Sequence, residues 1–298
     1  MLPEELWRNK DAKFLDPVCK SGVFLREIAK RLNEGLKEQI PDLQQRLNHI
    51  YRNQLYGIAI TELTSLVSRR SVYCSRLADG KYSVCEGFGN EQGNILFSPT
   101  EHIWHHGKCT YCGASRNQKE YNRNSEYETY AYPFIHTNQP ENFFPNMKFD
   151  IIVGNPPYQL NDGGFGASAS PLYHKFIQQA KKLKPKYLTM IVPSRWFSGG
   201  KGLGTFRDEM LNDNRIRKIV DYENATECFP GSVGKNIGSV CYFLWERDTT
   251  GLCEIVNSQN GIEISSIRPL NEFNTFVRHG RAISIIRKVL AKNEIKMN

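Results

Sequence analysis

The turn within FDIIVGNPPYQ (149–159) holds the residues best suited to chemistry. Asn155 follows an apolar run, and Pro156 and Pro157 end it because proline has no N–H for a sheet ladder. The turn that remains is stiff, with the Asn155 amide at its start and the Tyr158 ring at its tip. Such a turn is suited to binding a flat ring with polar edges. The alternative interpretation is a rigid loop that binds nothing.

A second candidate site lies in FLDPVCKSGVFL (14–25), which we interpret as a strand, a tight turn and a helix start. Asp16 offers a hydrogen-bond acceptor and Ser21 a helix cap. Gly22 has no side chain that would keep a ligand away from the backbone. A nucleotide-like cofactor could approach closely there. The pattern alone is weak, because strand–glycine–helix turns also occur for packing reasons.

A third candidate site is the Cys-x-x-Cys-Gly pattern in HIWHHGKCTYCGAS (102–115). The glycine permits the tight turn that lets two thiolates share one metal ion, and zinc takes four ligands. We predict a zinc site formed by Cys109 and Cys112 together with Cys74 and His102. The alternative is two buried thiols beside exposed histidines, because a zinc ribbon normally has two such cysteine pairs.

Composition limits the possible classes of protein. The chain has 298 residues, a length that can hold one large α/β domain and additional pieces. Its composition, 40% hydrophobic and 23% charged residues, is typical of a soluble globular protein. No apolar run approaches the length of a membrane span and no signal-peptide pattern is present, so we expect a cytoplasmic protein. The net charge of +8 favours a polyanionic partner.

Short apolar runs alternate with helix-length amphipathic runs. The predicted strands are 14–18, 55–60, 134–137, 150–154, 187–192, 218–222 and 240–245. The predicted helices are 23–37, 62–76, 171–183, 206–212 and a basic helix at 281–296. This alternation predicts a parallel, doubly wound α/β sheet, in which ligands lie at the carboxyl ends of the strands. Asn155 would lie at such an end.

One long stretch interrupts the alternation. Residues 78–132 are polar, rich in Gly, Asn and Tyr, and without sustained periodicity. A loop of that length needs its own stabilisation or a function. We therefore predict four regions: a cofactor-binding half (1–77), a polar, zinc-binding insert (78–132), a catalytic half (133–247) and the start of a C-terminal target-recognition or linker region (248–298).

Taken together, DPVCKSGVFL and GNPPYQ resemble the motifs of gamma-class N6-adenine DNA methyltransferases, particularly those of restriction–modification systems. The resemblance extends from Phe14 to about Trp245 and includes YLTMIVPSRWF (187–197) as a later core strand. It implies a Rossmann-like doubly wound methyltransferase sheet. It also implies S-adenosylmethionine as methyl donor and adenine in double-stranded DNA as acceptor.

The resemblance also implies roles for individual residues. The Asn155 side-chain oxygen and the Pro156 carbonyl would each accept one hydrogen of the target amine, and Tyr158 would stack on the flipped base. Pro157 would hold the turn rigid. The cofactor-binding residues implied by the first motif are Asp16, Pro17, Cys19, Lys20, Gly22 and Phe24.

The sequence departs from the family pattern at three places. Lys20 stands where glycine is usual, and we hypothesise that its ammonium pairs with the cofactor carboxylate, the alternative being a solvent-facing lysine. Ala59 stands where an acidic residue usually binds the ribose. Glu62 is the nearest carboxylate, and it either reaches the ribose or acts as a first-turn acid of the next helix. Asn138, after predicted strand 134–137, would meet the cofactor adenine.

Two other functions remain open at this stage. One is methylation of a protein glutamine side chain, whose acceptor is also a planar nitrogen, and the other is a catalytically idle nucleic-acid-binding module of the same fold. The glycine-rich loop 162–170 is a candidate for DNA contact. We also expect further domains to be missing, so that this chain is the catalytic fragment of a larger enzyme.

Overall fold

The computed structural model describes residues 1–116, 131–159, 170–231, 238–273 and 275–292. Loop 162–170 therefore lies almost entirely outside the described residues. The chain divides into two compact units, Met1–Met190 and Ile191–Asn298. Within the described residues, no helix combines the length and the apolarity that crossing a bilayer requires.

The first unit is built on five parallel strands. They are β1 (Phe14–Cys19), β2 (Leu55–Ala59), β3 (Ile95–Leu96), β6 (Ile151–Gly154) and β7 (Tyr187–Pro193), whose last residues belong to the second unit. Their order is β3-β2-β1-β6-β7, so the chain builds outward from β1 on one side and then returns to build on the other. The point where the order reverses lies between β1 and β6. In open α/β sheets, ligands bind at that point.

The central strands form because their sequences are almost continuously apolar. Every residue of β1, β2 and β6 is buried. Parallel strands covered on both faces have this pattern, whereas a strand with one wet face alternates. The predicted parallel α/β class is thus confirmed.

Helices follow the strands of the first unit. They are α1 (Val23–Gly35), α2 (Leu43–His49), α3 (Glu62–Tyr73) and α4 (Tyr173–Lys182). Three of the four were predicted to within three residues at each end. Helix α1 buries Leu25, Ile28, Ala29 and Leu32, which recur at the 3–4-residue spacing of one helix face.

One predicted strand of this unit is wrong. Residues 134–137 do not form a strand, and Pro133–Ile135 forms a 3-10 turn instead. Pro133 fixes its own φ and has no N–H to donate, and the N–H of His136 bonds back to the Pro133 carbonyl at 3.1 Å. The third strand comes from the insert, where Ile95 pairs with Gly57 of β2.

The insert also contains a small hairpin of β4 (Trp104–His105) and β5 (Lys108–Cys109). His106 and Gly107 connect the two strands, and both have positive φ, at 46° and 73°. A two-residue loop with two positive φ values is a type I′ turn, whose twist suits a hairpin. The hairpin positions Cys109 at the start of the Cys-x-x-Cys pattern.

The second unit contains β8 (Ile216–Tyr222), β9 (Val240–Glu246), β10 (Cys253–Gln259) and β11 (Ile262–Arg268), in the order β11-β10-β8-β9. Its helices are α5 (Gly204–Asn212), α6 (Ala225–Cys228) and α7 (Gly280–Ala291). Strand β10 lies parallel to β8, and the other neighbouring pairs are antiparallel. The predicted region boundary at 247/248 therefore falls inside this sheet.

Candidate active site

The two sequence motifs meet at the point where the strand order reverses. Strands β1 and β6 are hydrogen-bonded neighbours, with Phe14 opposite Ile151. Gly154, the residue before Asn155, lies so close to β1 that an added Cβ would be 2.8 Å from Val18 Cγ1 and 3.6 Å from Asp16 Oδ1. The predicted cofactor turn and the predicted catalytic turn are thus adjacent.

Asp16 lies deep in this site, with 3% of its surface exposed. Its Oδ1 accepts a hydrogen bond from the Val18 N–H at 3.1 Å. Burial raises the pKa of Asp16 to about 7, and the Val18 N–H and the Lys20 ammonium only partly oppose that shift. A buried carboxyl group with so high a pKa favours binding a positively charged or hydrogen-donating group.

Gly22 is required at its position by conformation and by packing. It precedes α1 with φ of 72°, the left-handed conformation that favours glycine. A Cβ there would lie 3.0 Å from both the Ser68 carbonyl oxygen and Val72 Cγ2 of α3. The turn after β1 therefore sits close against α3.

The other residues of the predicted cofactor turn differ in exposure. Pro17 and Cys19 are buried, Phe24 is half-buried and Lys20 is exposed. Burial raises the pKa of the Cys19 thiol well above its ordinary value, so the thiol remains protonated. The positive charge of Lys20 lowers the pKa of Asp16, in opposition to the effect of burial.

The residues predicted to bind the ribose and adenine lie further along the sheet. Ala59 pairs with Cys19 at the end of β2, and Glu62 is the exposed first residue of α3. Thr61 and Thr64 form the capping box of that helix, so the cap does not need the Glu62 side chain. Asn138 is exposed beyond the 3-10 turn, and not at a strand end as predicted.

The predicted catalytic turn begins with a buried hydrogen-bond acceptor, the side-chain oxygen of Asn155. Asn155 is half-buried, and its Oδ1 is buried with no hydrogen-bond partner among the described residues. An unsatisfied buried acceptor costs about 1–3 kcal/mol, which a bound N–H group would recover. The backbone of the turn is itself held, because the Leu172 N–H donates to the Tyr158 carbonyl at 3.2 Å.

A separate group of potential metal ligands lies in the insert and the segment after it. One ligand atom from each of four residues lies within 4.8 Å of every other, and the residues are His102, Cys109, Cys112 and His136. Burial raises the pKa of the Cys112 thiol to about 12 and lowers the pKa of His136 to about 4. The structure thus brings three of the four predicted ligands together.

The structure does not bring the fourth predicted ligand into this group. Cys74 is exposed at the end of α3, with φ of 59°, and lies outside the group. His136 is in the group instead. Sequence reasoning missed it because it lies 24 residues after Cys112, beyond ordinary zinc-ligand spacing, and within a stretch interpreted as a strand.

Comparison with known proteins identifies the family. Residues 53–229 match the model of the Eco57I restriction-modification methylase family. An "uncharacterized adenine-specific methylase" from Mycoplasma pneumoniae is 39% identical over 277 residues, covering 84% of this chain and 64% of the relative. The chain belongs to the Eco57I restriction-modification methylase family. The predicted resemblance to adenine methyltransferases of restriction–modification systems is thereby confirmed.

The chain matches only part of this relative, because the similarity covers 64% of the length of the Mycoplasma protein. Solved structures with some similarity include a modification subunit of a putative type I restriction enzyme from Vibrio vulnificus. It is 12% identical, with a TM-score of 0.47 over 100% of this chain and 54% of that one. Another is a type I methyltransferase subunit from Streptococcus thermophilus, 10% identical, with a TM-score of 0.47 over 97% of this chain and 50% of that one.

Proposed function

We propose that this chain transfers a methyl group from S-adenosylmethionine to the N6 amine of adenine in double-stranded DNA, within a restriction–modification system. The observation that carries the proposal is the buried Oδ1 of Asn155, which has no hydrogen-bond partner in the described part of the chain and lies at the end of β6, beside the Asp16 turn. Family membership supports the same chemistry. Because DNA is the substrate, we also infer that the protein works in the cytoplasm.

Asn155 and the turn it begins provide what the acceptor needs. The exocyclic amine of adenine is a poor nucleophile because its lone pair is conjugated with the ring. When Asn155 Oδ1 and the Pro156 carbonyl each accept one amine hydrogen, the lone pair is directed out of the ring plane toward the methyl donor. Tyr158 stacks on the base once it has left the duplex.

Rigidity of the turn contributes much of the rate acceleration, because it positions the reacting groups in advance. Pro156 and Pro157 fix the backbone after β6, and the Leu172 N–H holds the Tyr158 carbonyl from the other side. The acceptors are therefore positioned before the base arrives, and orientation is not lost during the reaction. Transfer is direct, without a covalent bond between base and protein.

The cofactor would be held in the turn between β1 and α1. S-adenosylmethionine supplies an activated methyl group on a sulfonium centre when it is bound. Asp16 would accept hydrogen bonds from the cofactor's positively charged amine, and Gly22 would let the backbone approach it closely. Lys20 would pair with the cofactor carboxylate, and Glu62 and Asn138 would complete the pocket.

A structural zinc ion belongs to the same proposal. Two cysteines and two histidines in one group are ligands that zinc prefers, and four protein ligands leave no open position for catalysis. The ion would stabilise the insert, in whose described residues few apolar side chains are buried. It takes no part in methyl transfer.

The deciding experiment measures transfer of a labelled methyl group from S-adenosylmethionine to unmethylated plasmid DNA. We expect label in DNA, and nucleoside digestion should place it in N6-methyl-2′-deoxyadenosine. Asn155→Ala is the matched control and should leave the DNA unlabelled. Label in a glutamine-containing protein acceptor but not in DNA would establish the protein-methylation alternative. Cofactor or DNA binding without transfer to either acceptor would establish the idle module.

A further inference from the structure

The four potential metal ligands connect two separate parts of the chain. His102, Cys109 and Cys112 belong to the insert, on and beside the β4–β5 hairpin. His136 lies in the segment 131–137, which leads back to the central sheet. An ion bound by all four residues would therefore join the insert to the catalytic half.

The hydrogen bonding of His136 shows which of its nitrogens is the ligand. Nδ1 lies 2.8 Å from the Tyr132 carbonyl oxygen, an acceptor, so Nδ1 carries the proton. Nε2 then has a lone pair, yet it is buried and without a hydrogen-bond partner among the described residues. Metal-binding histidines have this arrangement, in which a carbonyl fixes one nitrogen and the other faces the ion.

The spacing of the ligand atoms suits one tetrahedral ion. Zinc–sulfur and zinc–nitrogen bonds of about 2.3 and 2.0 Å imply ligand–ligand distances of roughly 3.3–3.8 Å. Cys112 Sγ lies 3.4 Å from His102 Nδ1. The Ala114 N–H points at Cys112 Sγ from 3.5 Å, as expected next to a thiolate. The group is therefore nearly closed around a point that an ion would occupy.

Helix α4 contacts both sides of this group with one face. Lys175 Nζ donates to the carbonyl of Tyr111, which lies between the two cysteines. One turn later, Gln179 Nε2 donates to the carbonyls of Phe134 at 3.1 Å and Thr137 at 2.7 Å. Lys175 and Gln179 are four residues apart and share a helix face. The Cys-x-x-Cys turn (109–112) and the segment 131–137 are thus attached to the same helix.

The start of α4 is attached to the catalytic turn. The Leu172 N–H donates to the Tyr158 carbonyl at 3.2 Å, and Gln159 forms a β-bridge with Pro171. A continuous series of contacts therefore runs from the ligand group through α4 to the turn that begins at Asn155. The Asp16 turn is not part of this series.

We propose that one zinc ion, bound by His102, Cys109, Cys112 and His136 through its Nε2, fastens the insert to the catalytic half and positions the Asn155–Tyr158 turn through α4. The last step rests on the function proposed above. Loss of the ion loosens α4 and weakens capture of the target base. Cofactor binding persists, because the Asp16 turn is held by β1 and α3.

The first experiment counts zinc in the purified protein by native mass spectrometry. The parent and Cys74→Ser should each carry about one ion per chain, whereas Cys109→Ser and His136→Gln should carry less than about 0.1. His136→Cys should restore the ion, because a thiolate is also a zinc ligand. A parent without zinc, or a His136→Gln variant that holds zinc as tightly as the parent, would overturn the proposal.

The second experiment tests the connection to the catalytic turn in the parent protein, so that misfolded variants do not confuse it. Hydrogen exchange is followed before and after chelation, and again after zinc is restored. Exchange in α4 and its flanking residues should rise at least about tenfold on chelation and recover with zinc. Exchange in β1 and at the start of α1 should stay the same. A rise confined to the insert would overturn the role of α4.

A substitution on α4 tests whether the helix carries the effect of zinc to the Tyr158 turn while zinc itself stays bound. Lys175→Met should keep zinc but increase exchange at the Tyr158 turn, while Lys182→Met, on the exposed side of the same helix, should change neither. No difference between the two variants would contradict the role of α4. If DNA proves not to be the methyl acceptor, zinc content and exchange still report on the ion and the helix. Failure of the proposed function is thus distinguishable from failure of this inference.

Discussion

The proposed catalytic turn and the insert with its potential metal ligands are both parts of the first unit, but they are positioned in different ways. The turn follows β6, in which all four residues are buried, and β6 lies between two parallel strands. The insert positions its ligands with a hairpin of two residues per strand, next to which Ile103 is 57% exposed. Packing therefore places the functional side chain in the first region. In the second, we expect a bound ion to supply much of the support through the four potential ligand side chains.

This difference determines what a substitution reveals. Removing a functional side chain from the proposed catalytic turn should abolish chemistry and leave the fold, because the buried strand β6 holds the turn in place. Removing a ligand from the insert should disturb structure first and activity second.

The largest effect should come from Asn155→Ala. Methyl transfer should fall by at least about 100-fold, as is usual when a positioned hydrogen-bonding group is lost at a reacting centre. The unfolding free energy should be unchanged or slightly higher, because Asn155 Oδ1 has no partner within the described protein. Single-turnover kinetics measure the first effect and urea denaturation the second. A variant with more than about a tenth of the parental rate would show that Asn155 has another role.

The sequence predicted the packed region well, for a physical reason. Strands buried on both faces need continuous apolar residues, and proline and glycine at their ends are local signals, so β1, β2, β6 and β7 could be located from short windows. The position of Asn155 directly after a strand of the parallel sheet was also predicted from the alternation of strands and helices. What could not be predicted was the position of Asn138, since Pro133 and its neighbours form a turn whose geometry depends on local hydrogen bonds.

The insert and the last strands were predicted less well. His136 is brought close to the other potential ligands by tertiary folding, and no local pattern distinguishes His136 from Cys74 as partner of the cysteine pair. The β10–β11 hairpin was missed although Asn260-Gly261, with φ of 53° and 75°, carries the usual signal of a type I′ turn. In that case the signal was present in the sequence, and it lay in a stretch assigned to a separate region.

A glycine in each region allows a direct comparison of packing. Gly154→Ala places a Cβ 2.8 Å from Val18 Cγ1, and Val18 is buried and stiff. It should lower the unfolding free energy by about 1–3 kcal/mol. Gly89→Ala, in the insert, meets nothing within 4 Å and should change it by less than about 0.5 kcal/mol. Urea denaturation measures both changes in unfolding free energy, provided that the dependence of that free energy on urea concentration is the same in parent and variants. Equal effects would show that the turn after β6 is not tightly packed.

Tyr158→Ala should weaken capture of the flipped base and leave the sheet intact. Stacking of a base on an aromatic ring is worth about 1–3 kcal/mol, so DNA with a flipped target should bind about 5- to 150-fold more weakly. Tyr158→Phe should behave like the parent if the ring face provides the contact. Fluorescence of 2-aminopurine at the target position reports the base leaving the duplex. The same enhancement in Tyr158→Ala and the parent would count against stacking.

The smallest effect concerns the pH dependence of cofactor binding at Asp16. Burial raises its pKa to about 7 in the folded protein, so the carboxyl is mostly protonated near pH 6 and mostly ionised near pH 8. The ionised form attracts the positively charged amine of S-adenosylmethionine, and affinity should therefore rise about tenfold over that interval. Asp16→Asn should bind the cofactor more weakly at about pH 8 and lose this rise, while Asn155→Ala should keep it.

The same shift has an opposite consequence for stability. A folded-state pKa above the ordinary 3.8 means that Asp16 contributes stability below about pH 4, which is lost as the pH rises through about 7. Without cofactor, Asp16→Asn should therefore gain stability relative to the parent between those values. Calorimetric titration at several pH values measures affinity, and urea denaturation measures stability. A parent whose affinity and stability both stay flat across this range would show that Asp16 is already ionised by a partner in the folded protein, and its place in the cofactor site would need another explanation.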